Sequence, residues 1–155
     1  MTTFVGDYPV KVDAKGRVLF PSAFKKQLNE AAGNRFVVKK DIFENCLILY
    51  PYDEWERQVK IIRSRINPYK KEHAKFLREF YKGTAEFSLD SNGRILFPKR
   101  LLEIVGITKE IVMAGQDDKI EIWDKTVYDS QKMNENDFAD LAEKLLGFDT
   151  VNDVE

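Results

Sequence analysis

The segment Val12-Asp13-Ala14-Lys15-Gly16-Arg17-Val18-Leu19-Phe20-Pro21 returns 77 residues later as Leu89-Asp90-Ser91-Asn92-Gly93-Arg94-Ile95-Leu96-Phe97-Pro98. A near-copy inside a chain of 155 residues points to a fold assembled from two related halves. Any surface built on the repeat is displayed at least twice. That doubling suits recognition of something itself repetitive, such as a duplex, better than it suits a single catalytic pocket.

Around each copy, apolar residues alternate with polar ones: Val10 and Val12, then Val18 and Phe20; Phe87 and Leu89, then Ile95 and Phe97. A period of two indicates strands on either side of a tight connection. Asp13-Ala14-Lys15-Gly16 and Asp90-Ser91-Asn92-Gly93 have type I turn chemistry, with Asp first to accept backbone hydrogen bonds and Gly fourth to take positive φ. Each copy therefore reads as a hairpin. Leu19 and Leu96 share a strand face with Arg17 and Arg94, so both faces carry apolar residues. The expectation is that cover is needed on both sides, with the two hairpins interlocking.

Pro21 and Pro98 end these strands, and proline suits the first turn of a helix. Helices are expected over Ser22–Gln27 and Lys99–Val105, the second stopped by Gly106. Each copy then offers a β-rich pair, Phe36-Val37-Val38 with Leu47–Tyr50 and Ile111-Val112-Met113 with Ile120–Trp123. Tyr50 and Trp55 recur as Trp123 and Tyr128, so the duplication extends over about 45–50 residues per copy. Four segments follow: a first repeat over 1–52, a helical insert over 53–82, a second repeat over 83–130, and a C-terminal helix with acidic tail over 131–155. In the insert, Asp53 is placed to cap a helix carrying Trp55, Val59, Ile62 and Ile66. Asn67-Pro68 restarts the chain before a second stripe of Phe76, Leu77, Phe80 and Tyr81. Phe138, Leu141, Ala142 and Leu145 form a last stripe closing at Gly147, and residues 148–155 read as a frayed tail.

The longest apolar runs are too short to span a bilayer, and the N-terminus begins polar, which leads us to expect a cytoplasmic protein with no membrane partner. The single cysteine, Cys46, allows no internal disulfide and no multi-cysteine metal site, and no cofactor is expected. The net charge of −1 conceals an asymmetry: residues 1–82 hold 17 Lys/Arg against 10 Asp/Glu, residues 83–155 hold 8 against 16. Such a chain can meet a polyanion with one face and its own copies with another, although uneven solvated charge is the simpler reading.

At the first turn, Lys15 and Arg17 share a face, Lys11 joins it one step back, and Arg94 is the counterpart in the second copy. Arginine grips phosphate or the O6/N7 edge of guanine with two bonds, and lysine makes phosphate contacts that carry no sequence information. A purely structural alternative competes: Asp13 and Arg17, four apart, tie the turn together. The two roles are compatible, since an Asp that steers an Arg preorganises it. Catalysis is not expected, because the turn has neither a nucleophile nor a second catalytic carboxylate. His73, the only histidine, sits among Lys70, Lys71, Glu72 and Lys75 on a helix surface. No phosphate-binding glycine loop, zincin motif or nucleophile elbow is present. Nine cations from Arg57 to Lys82 make the insert basic, either as a second polyanion surface or as the wet face of a helix pair.

Asp13-Ala14-Lys15-Gly16-Arg17 and Asp90-Ser91-Asn92-Gly93-Arg94, each followed by an apolar strand and Pro, resemble the D-x-x-x-R signature of the MraZ family. That family belongs to the AbrB-like swapped-hairpin superfamily. Leu49-Tyr50-Pro51, Glu54-Trp55, Gly83-Thr84-Ala85 and Ile120-Glu121-Ile122-Trp123 sit where the family has similar segments, so the resemblance runs to about residue 130. It implies an α+β chain of two AbrB-like swapped-hairpin β-barrel halves forming an intramolecular pseudo-dimer, with the helical insert between them and a C-terminal helix. It further implies a nucleoid-associated, non-enzymatic transcriptional regulator on a ring-shaped, octamer-like homo-oligomer. That regulator binds double-stranded DNA at direct repeats upstream of the division and cell wall gene cluster. Asp13, Arg17, Asp90 and Arg94 inherit the signature role, and Lys15 a DNA contact. The second copy departs at Asn92, where the first has Lys15, so its turn is expected to contribute less. The competing class is an assembly protein in which D-x-x-x-R is structural only.

Overall fold

The computed structural model describes residues 2–28 and 32–147, so the tail expected at 148–155 lies outside the described residues. The chain divides into two compact units, residues 1–125 and 126–155. The first unit is mixed α+β with antiparallel strands. Its elements are β1 (Asp7–Lys11), β2 (Arg17–Leu19), α1 (Ser22–Gln27), β3 (Arg35–Lys40), β4 (Leu47–Pro51), α2 (Tyr52–Arg65), α3 (Lys71–Tyr81), β5 (Ala85–Ser88), β6 (Arg94–Leu96), α4 (Lys99–Ile104), β7 (Glu110–Gln116) and β8 (Lys119–Asp124).

Alternation makes the strands, but it does not choose their partners. The strands flanking each Asp-Gly turn part company instead of zipping into a hairpin. β1 pairs with β7 of the second copy, β5 pairs with β3 of the first, and β2 pairs with β6. The hairpin expected from the sequence is thus confined to its turn. One six-stranded sheet results, in the order β1-β7-β8-β4-β3-β5, with a separate two-stranded ribbon, β2-β6. β4 meets β8 in the middle, with Leu47, Ile48 and Leu49 opposite Ile122, Glu121 and Ile120. Pro9 lies on β1, an end strand of the sheet, where its missing N–H removes no ladder bond.

The inner faces of sheet and ribbon share one core. Phe24 is fully buried, with ring centroids of Tyr8 at 4.9 Å, Phe4 at 5.5 Å and Phe20 at 6.1 Å. The aromatic series continues through Phe36 (5.2 Å from Phe20) and Phe87 (5.7 Å from Phe36) to Phe97 (6.1 Å from Phe87), and so crosses from one repeat to the other. Aromatic pairs at such separations contribute beyond their buried area. On the back of the sheet, Trp55 of α2 lies 6.0 Å from Tyr50 and stacks on Phe80 of α3 at 5.7 Å.

Several local expectations shift by a residue. Pro21 and Pro98 occupy N-cap positions, one place before the first turn. Pro51 caps α2, and Asp53 falls inside its first turn rather than capping it. Gly106 ends α4 as expected: at φ +71° it donates to Glu103 while Ile107 donates to Leu102. Leu19 and Leu96 are each 58% exposed, so cover on both faces of the short strands does not occur within the chain. Only the Val18 and Ile95 side is buried.

In the second unit, α5 (Lys125–Ser130, beginning one residue before the boundary) is followed by α6 (Glu135–Leu146). The Asn134 side chain caps α6 by accepting the Asp137 N–H at 2.8 Å. Its stripe of Phe138, Leu141 and Leu145 is exposed.

Ile95 is fully buried opposite Val18 at the centre of the ribbon. Ile95→Ala should therefore cost ~2–5 kcal/mol, read as a lower urea midpoint at an unchanged denaturant slope. A loss below ~0.5 kcal/mol would mean that the ribbon is not part of the cooperative core.

Candidate nucleic-acid interface

The ribbon brings the two signature turns together. Pairing sets Arg17 opposite Leu96, Val18 opposite Ile95, and Leu19 opposite Arg94. Val18 and Ile95 point into the core, so Arg17, Leu19, Arg94 and Leu96 share the outer face. Because the strands are antiparallel, the turns lie at opposite ends of this face. Each is fastened by the other copy: Phe97 N–H donates to the Gly16 carbonyl at 3.1 Å and Phe20 N–H to the Gly93 carbonyl at 3.0 Å.

The turns themselves are near-identical. Gly16 N–H donates to the Asp13 carbonyl at 3.0 Å and Asp13 N–H to the Arg17 carbonyl at 2.9 Å; Gly93, Asp90 and Arg94 repeat this at 3.0 and 2.9 Å. Asp13 Oδ1 accepts the N–H groups of Lys15 (2.9 Å) and Arg17 (2.8 Å), and Oδ2 accepts Arg17 Nε (2.8 Å). Asp90 does the same for Asn92 (2.8 Å), Arg94 (2.9 Å) and Arg94 Nε (3.0 Å). Each Asp is thus consumed by its turn, as the structural alternative requires. Holding Nε also aims the guanidinium, and neither Arg has a described partner for its terminal Nη groups. Asp13 and Asp90 both titrate below the ordinary aspartate value, chiefly through the backbone N–H of Arg17 or Arg94. An exposed ion pair is worth little on its own, so the pair's effect is orientation more than stability.

The remaining candidates fall elsewhere. Lys15 is exposed at the first turn, and Asn92 takes its place in the second. Lys11 is not on the ribbon; it ends β1 opposite Glu110 in the main sheet. His73 accepts the Asn67 N–H at Nδ1 (2.8 Å) and so braces the connection between α2 and α3. Of the basic insert, Arg57 pairs with Glu54 (2.9 Å) and Asp118 (3.0 Å) and Lys82 approaches Glu79 at 3.9 Å. Lys60, Arg63, Arg65, Lys70, Lys71, Lys75 and Arg78 form no ion pair with a described residue. The sequence places Leu19 and Leu96 on the face of Arg17 and Arg94 but not their exposure; pairing register, which no local pattern carries, sets each leucine opposite the other copy's arginine. Among the described residues no group of three His, Cys, Asp or Glu could hold a metal, and no helix is long and apolar enough to cross a membrane.

The fold and this face define a duplicated α+β protein that presents paired, carboxylate-steered arginines on one short ribbon. The family model described as "MraZ protein, putative antitoxin-like" matches residues 3–79 and again 80–149. Proteins named "Transcriptional regulator MraZ" are similar along the whole length. The one from Christiangramia forsetii is 43% identical, covering 99% of this chain and 99% of its own. That of Flavobacterium psychrophilum is 42% identical, covering 100% and 98%, and that of Bacteroides thetaiotaomicron 39%, covering 100% and 99%. The chain belongs to the MraZ family.

Two outcomes check the turn geometry. Gly16 has φ +85°, and a Cβ there would stand 3.2 Å from the Phe97 carbonyl; Gly93 has φ +73° with open space around it. Both Gly→Ala changes should cost ~1–2 kcal/mol for the left-handed backbone, and Gly16→Ala more because of its neighbour, measured by urea unfolding. Equal losses would show that the Phe97 contact is immaterial. The pH dependence follows from the depressed Asp13 and Asp90 values. Their contribution is fully present above the unfolded-state aspartate pKa and is lost as pH falls through the lower folded values. Carboxyl NMR titration should place both midpoints below the ordinary aspartate value; ordinary midpoints would contradict the hydrogen-bonded turns.

Proposed function

We propose that the chain is a sequence-specific DNA-binding transcriptional regulator that reads duplex DNA with its two D-x-x-x-R turns. The observation that carries this reading is the ribbon: it gathers two carboxylate-steered arginines on one exposed face. The names of the relatives, transcriptional regulators all, agree with it. A two-stranded ribbon fits the major groove, where an arginine can take guanine O6 and N7 together. Lys15 adds a phosphate contact, and Lys11, further back, a weaker one. The exchanged strands β1 and β5 support reading the two repeats, 1–52 and 83–130, as a swapped-hairpin pseudo-dimer.

One pair of turns covers few base pairs, so tight binding calls for several subunits on repeated sites, each contact raising the effective concentration for the next. A ring-shaped, octamer-like homo-oligomer on direct repeats upstream of the division and cell wall gene cluster meets that need, with the protein working on the nucleoid. The turns are unequal because Lys15 faces solvent where the second copy has Asn92.

Fluorescence anisotropy with the protein's own upstream DNA tests these statements. Arg17→Ala should weaken binding by ~1–3 kcal/mol, Arg94→Ala by less, and neither should change the native mass. Lys15→Ala should lower the salt slope by about one without altering sequence preference. Wild-type affinity in Arg17→Ala would remove the turn from the interface. A second reading has its own support in the complete engagement of Asp13 and Asp90 by their turns: an assembly module whose signature is structural. An oligomer with no salt-sensitive DNA binding would favour it.

A further inference from the structure

The two halves differ where β3 joins β4. β7 and β8 are linked by a two-residue turn with Asp117 at φ +60°, whereas residues 41–46 form a longer loop in the first half that exposes Ile42. This loop forms the lip of a groove enclosing about 350 Å³, with Phe76, Phe80, Leu101 and Ile104 on its walls. Ile42 and Ile104 are each 51% exposed and Phe76 38%, so the apolar surface is open to solvent in the single chain.

The groove also contains a buried cation. Lys39 is 4% exposed, its ammonium lies 4.3 Å from the Phe80 ring centroid, and among the described residues it donates to the Lys40 carbonyl alone, at 3.2 Å. No described carboxylate forms an ion pair with it. The two acids on the rim are otherwise engaged: Asp41 accepts the N–H groups of Phe43 (3.2 Å) and Glu44 (2.8 Å), and Glu79 faces Lys82 at 3.9 Å. Burial pulls the Lys39 pKa down, with Asp41 partly opposing. A buried charge without a counterion is costly, and a docked carboxylate would relieve it.

α6 has the complementary chemistry. Phe138, Leu141 and Leu145 fall at spacings of three and four, 65%, 39% and 70% exposed, and no residue of the helix is buried. On the helical wheel, Glu135 and Asp137 flank that stripe, and Lys144 is the only cation on the helix.

We propose that α6 of one chain docks in the α3–α4 groove of a second copy, its apolar stripe against Phe76 and Ile104 and its acidic edge toward Lys39. The inference rests on the self-association proposed above and names one contact that closes it. The C-terminal unit is then the strap joining neighbouring subunits.

Disulfide trapping between two differently tagged full-length chains tests this. One carries Leu141→Cys and the other Ile104→Cys, both in a Cys46→Ala background. All chains are checked by circular dichroism and native mass before mild oxidation. A covalent heteroadduct carrying both tags is expected, at least fivefold stronger than with Glu143→Cys, on the opposite face of α6. Adding Phe138→Glu to the first chain should abolish it. An oligomer that gives no adduct, or one equal to the Glu143→Cys control, overturns the docking and leaves the ring untouched. A wild-type native mass of one chain overturns both. If a single chain carrying both cysteines closes its disulfide without joining a neighbour, the helix docks on its own chain and the strap is wrong.

Discussion

Three residue pairs, Arg17–Leu96, Val18–Ile95 and Leu19–Arg94, hold the arrangement on which every other feature of the face depends. A two-stranded ribbon this short has no independent stability. Its support comes from Val18 and Ile95 beneath it and from the carbonyls of Gly16 and Gly93, each bonded by the strand end of the other repeat. Neither turn is complete without its twin. The edge strands repeat this dependence, since β1 finishes the sheet of the second copy and β5 that of the first. Each turn is shaped locally, but the ribbon that sets both on one face needs both repeats.

Magnitudes separate the roles of Asp and Arg within each turn. An exposed Asp–Arg pair adds little stability of its own. The two backbone N–H bonds to the same carboxylate are charge-assisted and local, and the one from Arg17 or Arg94 is the largest single cause of the depressed aspartate pKa. Asp is therefore the residue that shapes the turn. Arg, tethered through Nε, keeps its remaining donors for a partner at reduced entropic cost. Corresponding bonds in the two turns differ by no more than 0.2 Å. The hydrogen-bond geometry of the turns therefore gives no ground for a functional inequality, whereas their composition, Ala14-Lys15 against Ser91-Asn92, does.

Much of this was legible in the sequence. Asp at the first turn position and Gly at the fourth fix each turn locally, Ser22–Gln27 is the helix expected, and Gly106 stops α4. Strand partners were not legible, because a period of two specifies which side of a strand is buried and says nothing of what lies beside it. The exposure of Leu19 and Leu96 is a case in point: apolar character on both faces predicts cover on both, yet the outer face stays open beside the arginines. The burial of Lys39 is not legible either, because the apolar run before it ends at Val38 while burial continues one residue further into β3.

A chain with a net charge of −1 is an unpromising polyelectrolyte partner for DNA, and the distribution of its charge resolves the difficulty. Fields at a surface are set by charges within about a Debye length, roughly 8–10 Å at moderate salt, so the local charge at a turn matters more than the net charge of the chain. The acidic residues of the second half instead create a problem of their own wherever like copies meet, unless they face cations. In the proposed assembly some of them do: the acidic residues of α6, Glu135 and Asp137, meet the buried Lys39 of a second copy. Subunit contact would then remove negative charge from the solvent-facing potential while leaving Arg17 and Lys15 exposed. An assembly of that kind would couple subunit contact to DNA binding through the same neutralisation. Salt, which screens both, should act on affinity more steeply than the phosphate contacts of a single turn can account for.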